Sequence, residues 1–170
     1  RPMPLSVEAP PRCLRWGQTS PSNIALLIHG FYLDALAEML QALPRDGFDL
    51  YVSTPLRQLP AAAALLRQQR WERVVLFGVP NRGRDLAPFL LQLLPAAAAV
   101  GHHGVIKLHT KSSPHLGDGK DWGGHLVNSL LDPAVVAQLR RQPPPGLLAP
   151  AGTPVPISLQ LHHNAEHVKR

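Results

Sequence analysis

The chain is 170 residues long, with 17 lysines and arginines against 11 aspartates and glutamates and a net charge of +6. A hydrophobic fraction of 45% beside a charged fraction of 16% excludes wholesale disorder and leaves room for one domain with a proper core, or for a fragment of something larger. Its one cysteine, Cys13, excludes an internal disulfide framework and any multi-cysteine zinc site, and no apolar run is long and unbroken enough for a membrane-spanning helix.

Pro2, Pro4, Pro10, Pro11 and Pro21 remove backbone donors and fix φ, which predicts an irregular arm over residues 1–22, pinned to the body by Cys13, Leu14 and Trp16. The run Asn23-Ile-Ala-Leu-Leu-Ile28 fits a buried strand, and His29-Gly-Phe-Tyr32 follows as a loop. Leu33, Leu36, Ala37, Leu40 and Leu43 recur at helical spacing until Pro44. Phe48–Thr54 predicts a second strand, Leu59–Gln69 a second helix and Arg73–Val79 a third strand. Asn81-Arg-Gly-Arg-Asp85 is a polar loop, with Asp85 placed to cap a helix over Leu86–Leu94 and Pro88 in that helix's first turn. Gly104–Thr110 predicts a fourth strand and Ser112–Trp122 a loop. Gly124–Arg141 predicts a helix with a break at Asp132-Pro133, and Gly146–Pro150 one more short strand. The alternation implies an α/β layer over residues 23–150 with an open, mainly parallel sheet and flanking helices, followed by a C-terminal tail at 151–170. In such sheets ligands bind at the carboxyl ends of the strands, and here the polar clusters follow the strands.

Two constellations stand out. In Asn81-Arg82-Gly83-Arg84-Asp85, Gly83 permits a tight turn, and the two arginines beside a helix N-terminus suit a phosphate. A plain Arg/Asp-stabilised turn explains the same residues about as well. In Lys107-Leu-His-Thr-Lys111, alternation puts Lys107, His109 and Lys111 on one face. Aligned cations repel, so that face calls for an anion or a carboxylate. A solvated edge strand is the alternative, and the apolar pair Val105-Ile106 argues against it. His29 lies at the same strand-end edge. His102-His103 has no carboxylate or cysteine at ligand spacing nearby, which gives no support to a metal site. There is no Walker loop, no Gly-x-Gly-x-x-Gly and no Asp-x-Asp. No cofactor is therefore expected, with a divalent metal left open, and positive side chains are expected to meet any phosphates.

Taken in order, Ile24–Tyr32, Phe48–Thr54, Asn81–Phe89 and Val105–His115 resemble the rhamnan synthesis protein F family, and Trp122 with Asn128-Ser-Leu-Leu131 fits the same pattern. The resemblance covers roughly 24–150. It implies a Rossmann-like, glycosyltransferase-type fold. It also implies a role in assembling rhamnose-containing polysaccharide or O-antigen, by transfer of rhamnose from a nucleotide-diphospho-rhamnose to a glycan or lipid-linked acceptor. The implied setting is cytoplasmic, with peripheral association at the inner membrane face. Family members are usually longer, which leaves the tail at 151–170 open to truncation. Arg82, Arg84, Lys107 and Lys111 are expected to meet the diphosphate, with Asn81, Gly83, Ser112 and His115 completing the substrate site. Asp85 is the first candidate base, followed by His109 and His29. A base and a fully engaged cap are competing duties for Asp85. The alternative is a non-catalytic module that holds a phosphosugar or other anion on the same edge, or an inactive fragment of such a transferase. The dispersed tryptophans and the lack of a long basic stripe argue against nucleic acid.

Overall fold

The computed structural model describes residues 12–110, 127–142, 146 and 149. Strands β1 (Arg12–Gly17), β2 (Ile24–His29), β3 (Phe48–Pro55), β4 (Arg73–Val79) and β5 (Gly104–His109) form a five-stranded sheet in the order β1-β4-β3-β2-β5. β2 through β5 run parallel, and β1 is antiparallel to β4. The central strands β2, β3 and β4 are mostly apolar because both of their faces are covered. β2 and β3 are buried from end to end.

Alternate residues serve opposite layers. Ile24, Leu26, Ile28, Leu50, Val52, Val74, Leu76, Ile106 and Leu108 face a larger core built with α1 (Leu33–Ala42) and α2 (Leu59–Gln68). Ala25, Leu27, Tyr51, Val75, Phe77 and Val79 face a smaller core on the other side. That second layer is one continuous helical stretch: α3 (Leu86–Pro88), a π turn (Phe89–Leu93) and α4 (Leu94–Ala98). After a helical segment at 127–130, α5 (Pro133–Arg141) adds Val136 and Leu139 to the larger core. Its start is fixed by Asp132, whose carboxylate accepts the Ala134 N–H at 2.8 Å, so the expected break at Asp132-Pro133 is present.

The structure departs from the sequence-based expectations at several points. Residues 12–17 are a strand and not an irregular arm. No proline falls within 12–17, and Leu14 and Trp16 alternate onto the larger core while the backbone pairs with β4. Cys13 is exposed and pins nothing. The helix after Asp85 does not end at Leu94. Pro95 lacks an N–H, but the π turn has already shifted the ladder, with Leu94 N–H bonding Phe89 O, so Pro95 enters as a first-turn residue of α4. β5 ends the sheet among the described residues, and Val105 is exposed, so the apolar pair did not signal burial on both sides. Most of the short strand expected at Gly146–Pro150 lies outside the described residues. Among the described residues no helix is long and apolar enough to cross a membrane.

Candidate functional site

The sheet grows from β2 to β3 to β4 in one direction, then returns to place β5 on the other side of β2. The carboxyl ends of β2 and β5 therefore flank the switch point, the position at which open α/β sheets bind ligands. Register puts His29 opposite both His109 and Ser53. By alternation these side chains and Lys107 lie on the face covered by α3 and α4.

The loop between β2 and α1 is tied down from both neighbouring strands. Thr54 donates to Gly30 O at 2.9 Å. The Thr110 hydroxyl accepts the N–H groups of Phe31 and Tyr32 at 3.0 and 3.1 Å. Both threonines are buried, so these bonds are shielded from water.

Asp85 is the hub. Its Oδ2 accepts from Lys107 Nζ at 2.5 Å and lies 3.8 Å from His109 Nδ1. Burial pushes the Asp85 carboxyl up, but the Lys107 hydrogen bond and charge, with His109 behind them, outweigh it and hold the carboxyl below its ordinary value. Asp85 occupies the N-cap position of α3 without making a side-chain cap bond, so the expected cap is corrected. Its carboxylate reaches across to β5 instead. The Lys107 ammonium also stands 5.7 Å from the Phe89 ring centroid, on the π turn.

Gly83 and Arg84 both have positive φ, +69° and +52°. A Cβ on Gly83 would stand 2.2 Å from the Ala87 Cβ. That double constraint explains glycine here, and Gly83 O accepts the Ala87 N–H at 3.1 Å to start the helix. Gly83→Ala is expected to lower stability by about 1–3 kcal/mol, read as a lower Tm. An unchanged Tm would contradict this reading of the turn. Asn81, Arg82 and Arg84 are exposed on the same loop.

His29 is only 6% exposed, and its Nδ1 lies 2.9 Å from Ser53 Oγ. Burial lowers its pKa below the ordinary value. The Asp85 charge opposes this, and the His109 and Lys107 charges add to it. The native state thus binds this proton less readily than the unfolded chain. Stability is expected to fall as pH drops below about 6.5, the unperturbed histidine value, and to level off below the depressed native value. Thermal midpoints measured between pH 7.5 and 5 check this, and the slope should be shallower in His29→Gln.

Of the expected site residues, the structure brings together Asp85, Lys107, His109 and His29, with Asn81, Arg82, Gly83 and Arg84 on the adjoining loop. Lys111, Ser112 and His115 lie outside the described residues. Sequence reasoning missed Ser53, which only sheet register places beside His29. It also could not place His102, whose neighbours come from distant segments. A carboxylate does lie nearby in space, since Asp49 Oδ2 is 3.6 Å from His102 Nε2. His102 Nδ1 donates to Ser22 O at 2.8 Å, and its Nε2 meets Tyr51 OH at 3.0 Å, in a buried structural network at the opposite end of the strands. Among the described residues no three His, Cys, Asp or Glu side chains gather as a metal-ligand set.

The family model of rhamnan synthesis protein F matches residues 12–159. The chain is 35% identical over 156 residues to the uncharacterized protein WxcX of Xanthomonas campestris pv. campestris strain ATCC 33913, and equally to that of strain B100. Each match covers 86% of this chain and 22% of the relative, so the chain spans about a fifth of the length of the curated relatives it matches. No solved structure matches it.

Proposed function

The chain belongs to the rhamnan synthesis protein F family, and from that premise we propose that it handles the nucleotide-diphospho-rhamnose donor in a Rossmann-like rhamnosyltransferase of cell-surface polysaccharide assembly. The observation that carries this reading is the Asp85–Lys107–His109 cluster at the switch point, beside a loop that presents Arg82 and Arg84. Lys107 and the two arginines meet the diphosphate and stabilise the charge that develops as it leaves. The acceptor hydroxyl loses its proton to a base, its oxygen bonds to the anomeric carbon, and the bond to the diphosphate oxygen breaks with its electron pair. His109 suits the base role. Its ring is well exposed, and the Asp85 carboxylate behind it stabilises the imidazolium that forms. Asp85, engaged by Lys107 and held in its ionised form, serves as counter-ion and not as first base. The acceptor is a glycan or a lipid-linked glycan met at the inner face of the membrane.

A thermal-shift series with deoxythymidine diphosphate, its sugar conjugates and short oligonucleotides tests donor binding. Stabilisation by the diphosphates and not by oligonucleotides is expected. Release of nucleoside diphosphate only when acceptor is present marks transfer, and binding without release would identify a non-catalytic anion-binding module instead. Arg84→Ala is expected to weaken diphosphate binding about tenfold or more, the loss of one charge-assisted contact. Unchanged affinity would remove Arg84 from the site.

A further inference from the structure

We propose that His29 is a fixed, neutral hydrogen-bond donor, locked by Ser53 with its proton on Nε2, and that it grips a diphosphate oxygen of the ligand. The diphosphate part of this inference rests on the transferase reading above. The tautomer does not.

The Ser53 side chain is fully buried, and among the described residues its hydroxyl has a single hydrogen-bond partner, His29 Nδ1 at 2.9 Å. A hydroxyl carries one hydrogen, and burying it without an acceptor costs about 1–3 kcal/mol. Nδ1 is the acceptor within reach, so Ser53 donates and Nδ1 accepts. A neutral imidazole carries one proton, which then sits on Nε2. The opposite tautomer would leave the Ser53 hydrogen without a partner.

His102 provides an internal contrast. Its Nδ1 faces a carbonyl oxygen, which only accepts, so that ring carries its proton on Nδ1. The fold thus sets the two tautomers differently by what each Nδ1 faces.

Among the described residues His29 Nε2–H has no acceptor, and it is not one of the sealed polar atoms, so it opens onto the strand-end edge although the rest of the side chain is buried. A donor held there is available to a ligand oxygen. The charged groups that act on the ring are Asp85, His109 and Lys107, and the Asp85 carboxylate is already engaged by Lys107. A ligand oxygen beside that cluster completes the set. A neutral donor held in place before the ligand arrives adds no repulsion to Lys107 and needs no reorganisation as charge develops on the leaving oxygen. Ser53 is accordingly a positioning residue that acts through His29.

The test combines a tautomer readout with transfer kinetics on the same chain. Proton–nitrogen correlation spectra of histidine-labelled protein at pH 7.5 are expected to show His29 protonated at Nε2 alone. Protonation at Nδ1 would overturn the inference whatever the activity. In acceptor-dependent release of nucleoside diphosphate, His29→Ala is expected to lose about a hundredfold, as for removal of one preorganised donor. His29→Gln, which keeps an N–H donor but takes up no proton, is expected to lose about tenfold or less and to keep the wild-type pH profile. Equal losses in both would assign His29 to proton transfer and refute the donor role. Ser53→Ala should release the tautomer and Ser53→Thr should restore it. If deoxythymidine diphosphate fails to bind the wild-type chain while the Nε2–H tautomer is observed, the transferase reading and the diphosphate grip fail together, and the Ser53–His29 lock stands.

Discussion

Replacing Asp49 by alanine is expected to cost about 3–5 kcal/mol of stability, because it strips one partner from a largely buried ion pair with Arg73. Asp49 is 1% exposed near the start of β3. Its Oδ1 accepts the Ser22 N–H at 3.0 Å, which ties the segment before β2 to the sheet. Its Oδ2 lies 3.4 Å from Arg73 Nε but makes no well-aligned hydrogen bond, so the guanidinium charge and not a directed bond holds that oxygen. Removing the carboxylate orphans a backbone N–H and a partly buried guanidinium together. Asp49→Asn keeps an acceptor for Ser22 and should cost less than half as much. Urea unfolding of the two variants measures this, and a loss below about 1 kcal/mol for Asp49→Ala would show that Oδ2 contributes little.

The second large effect is on activity. Lys107→Ala is expected to reduce transfer by about a hundredfold to a thousandfold, the size seen when a preorganised stabiliser of developing charge is removed. The same change leaves Asp85 beside a vacated cation position, so a diphosphate would face an uncompensated carboxylate. The Asp85 carboxyl should then titrate higher, since the Lys107 hydrogen bond and charge are what offset its burial. In the wild type the stability from the depressed Asp85 value is present above its ordinary pKa and is lost as pH falls through the native one. Lys107→Ala should flatten that acid limb. A variant that loses transfer but keeps the acid limb unchanged would separate the catalytic role of Lys107 from its pairing with Asp85.

The layers of the fold were legible because each element obeyed its own period. The apolar run of β2, the three-and-four spacing of Leu33, Leu36 and Leu40, and the stop at Pro44 all agree with the structure. β1 was not legible, because its signal is two residues, Leu14 and Trp16, in a proline-rich segment, and its strand character depends on pairing with β4. The continuation of the helix past Pro95 depends on a π turn, which has no local sequence mark. In the site, alternation correctly put Lys107 and His109 on one face, and the aligned cations were met by a carboxylate, Asp85. That Asp85 reaches across to β5 and leaves its helix uncapped follows from the sheet order, which alternating elements do not specify. Ser53 and Asp49 were hidden for the same reason, since each is an ordinary polar residue in a strand until register gives it a neighbour.

On the proposed reading, the switch point between β2 and β5 holds a nucleotide diphosphate through Lys107 and the arginine loop. Calorimetric titration of the wild-type chain and Lys107→Ala with deoxythymidine diphosphate-rhamnose tests it most directly. Saturable binding to the wild type that weakens at least tenfold in Lys107→Ala is predicted, while equal affinity in both, or no binding to the wild type, would contradict it.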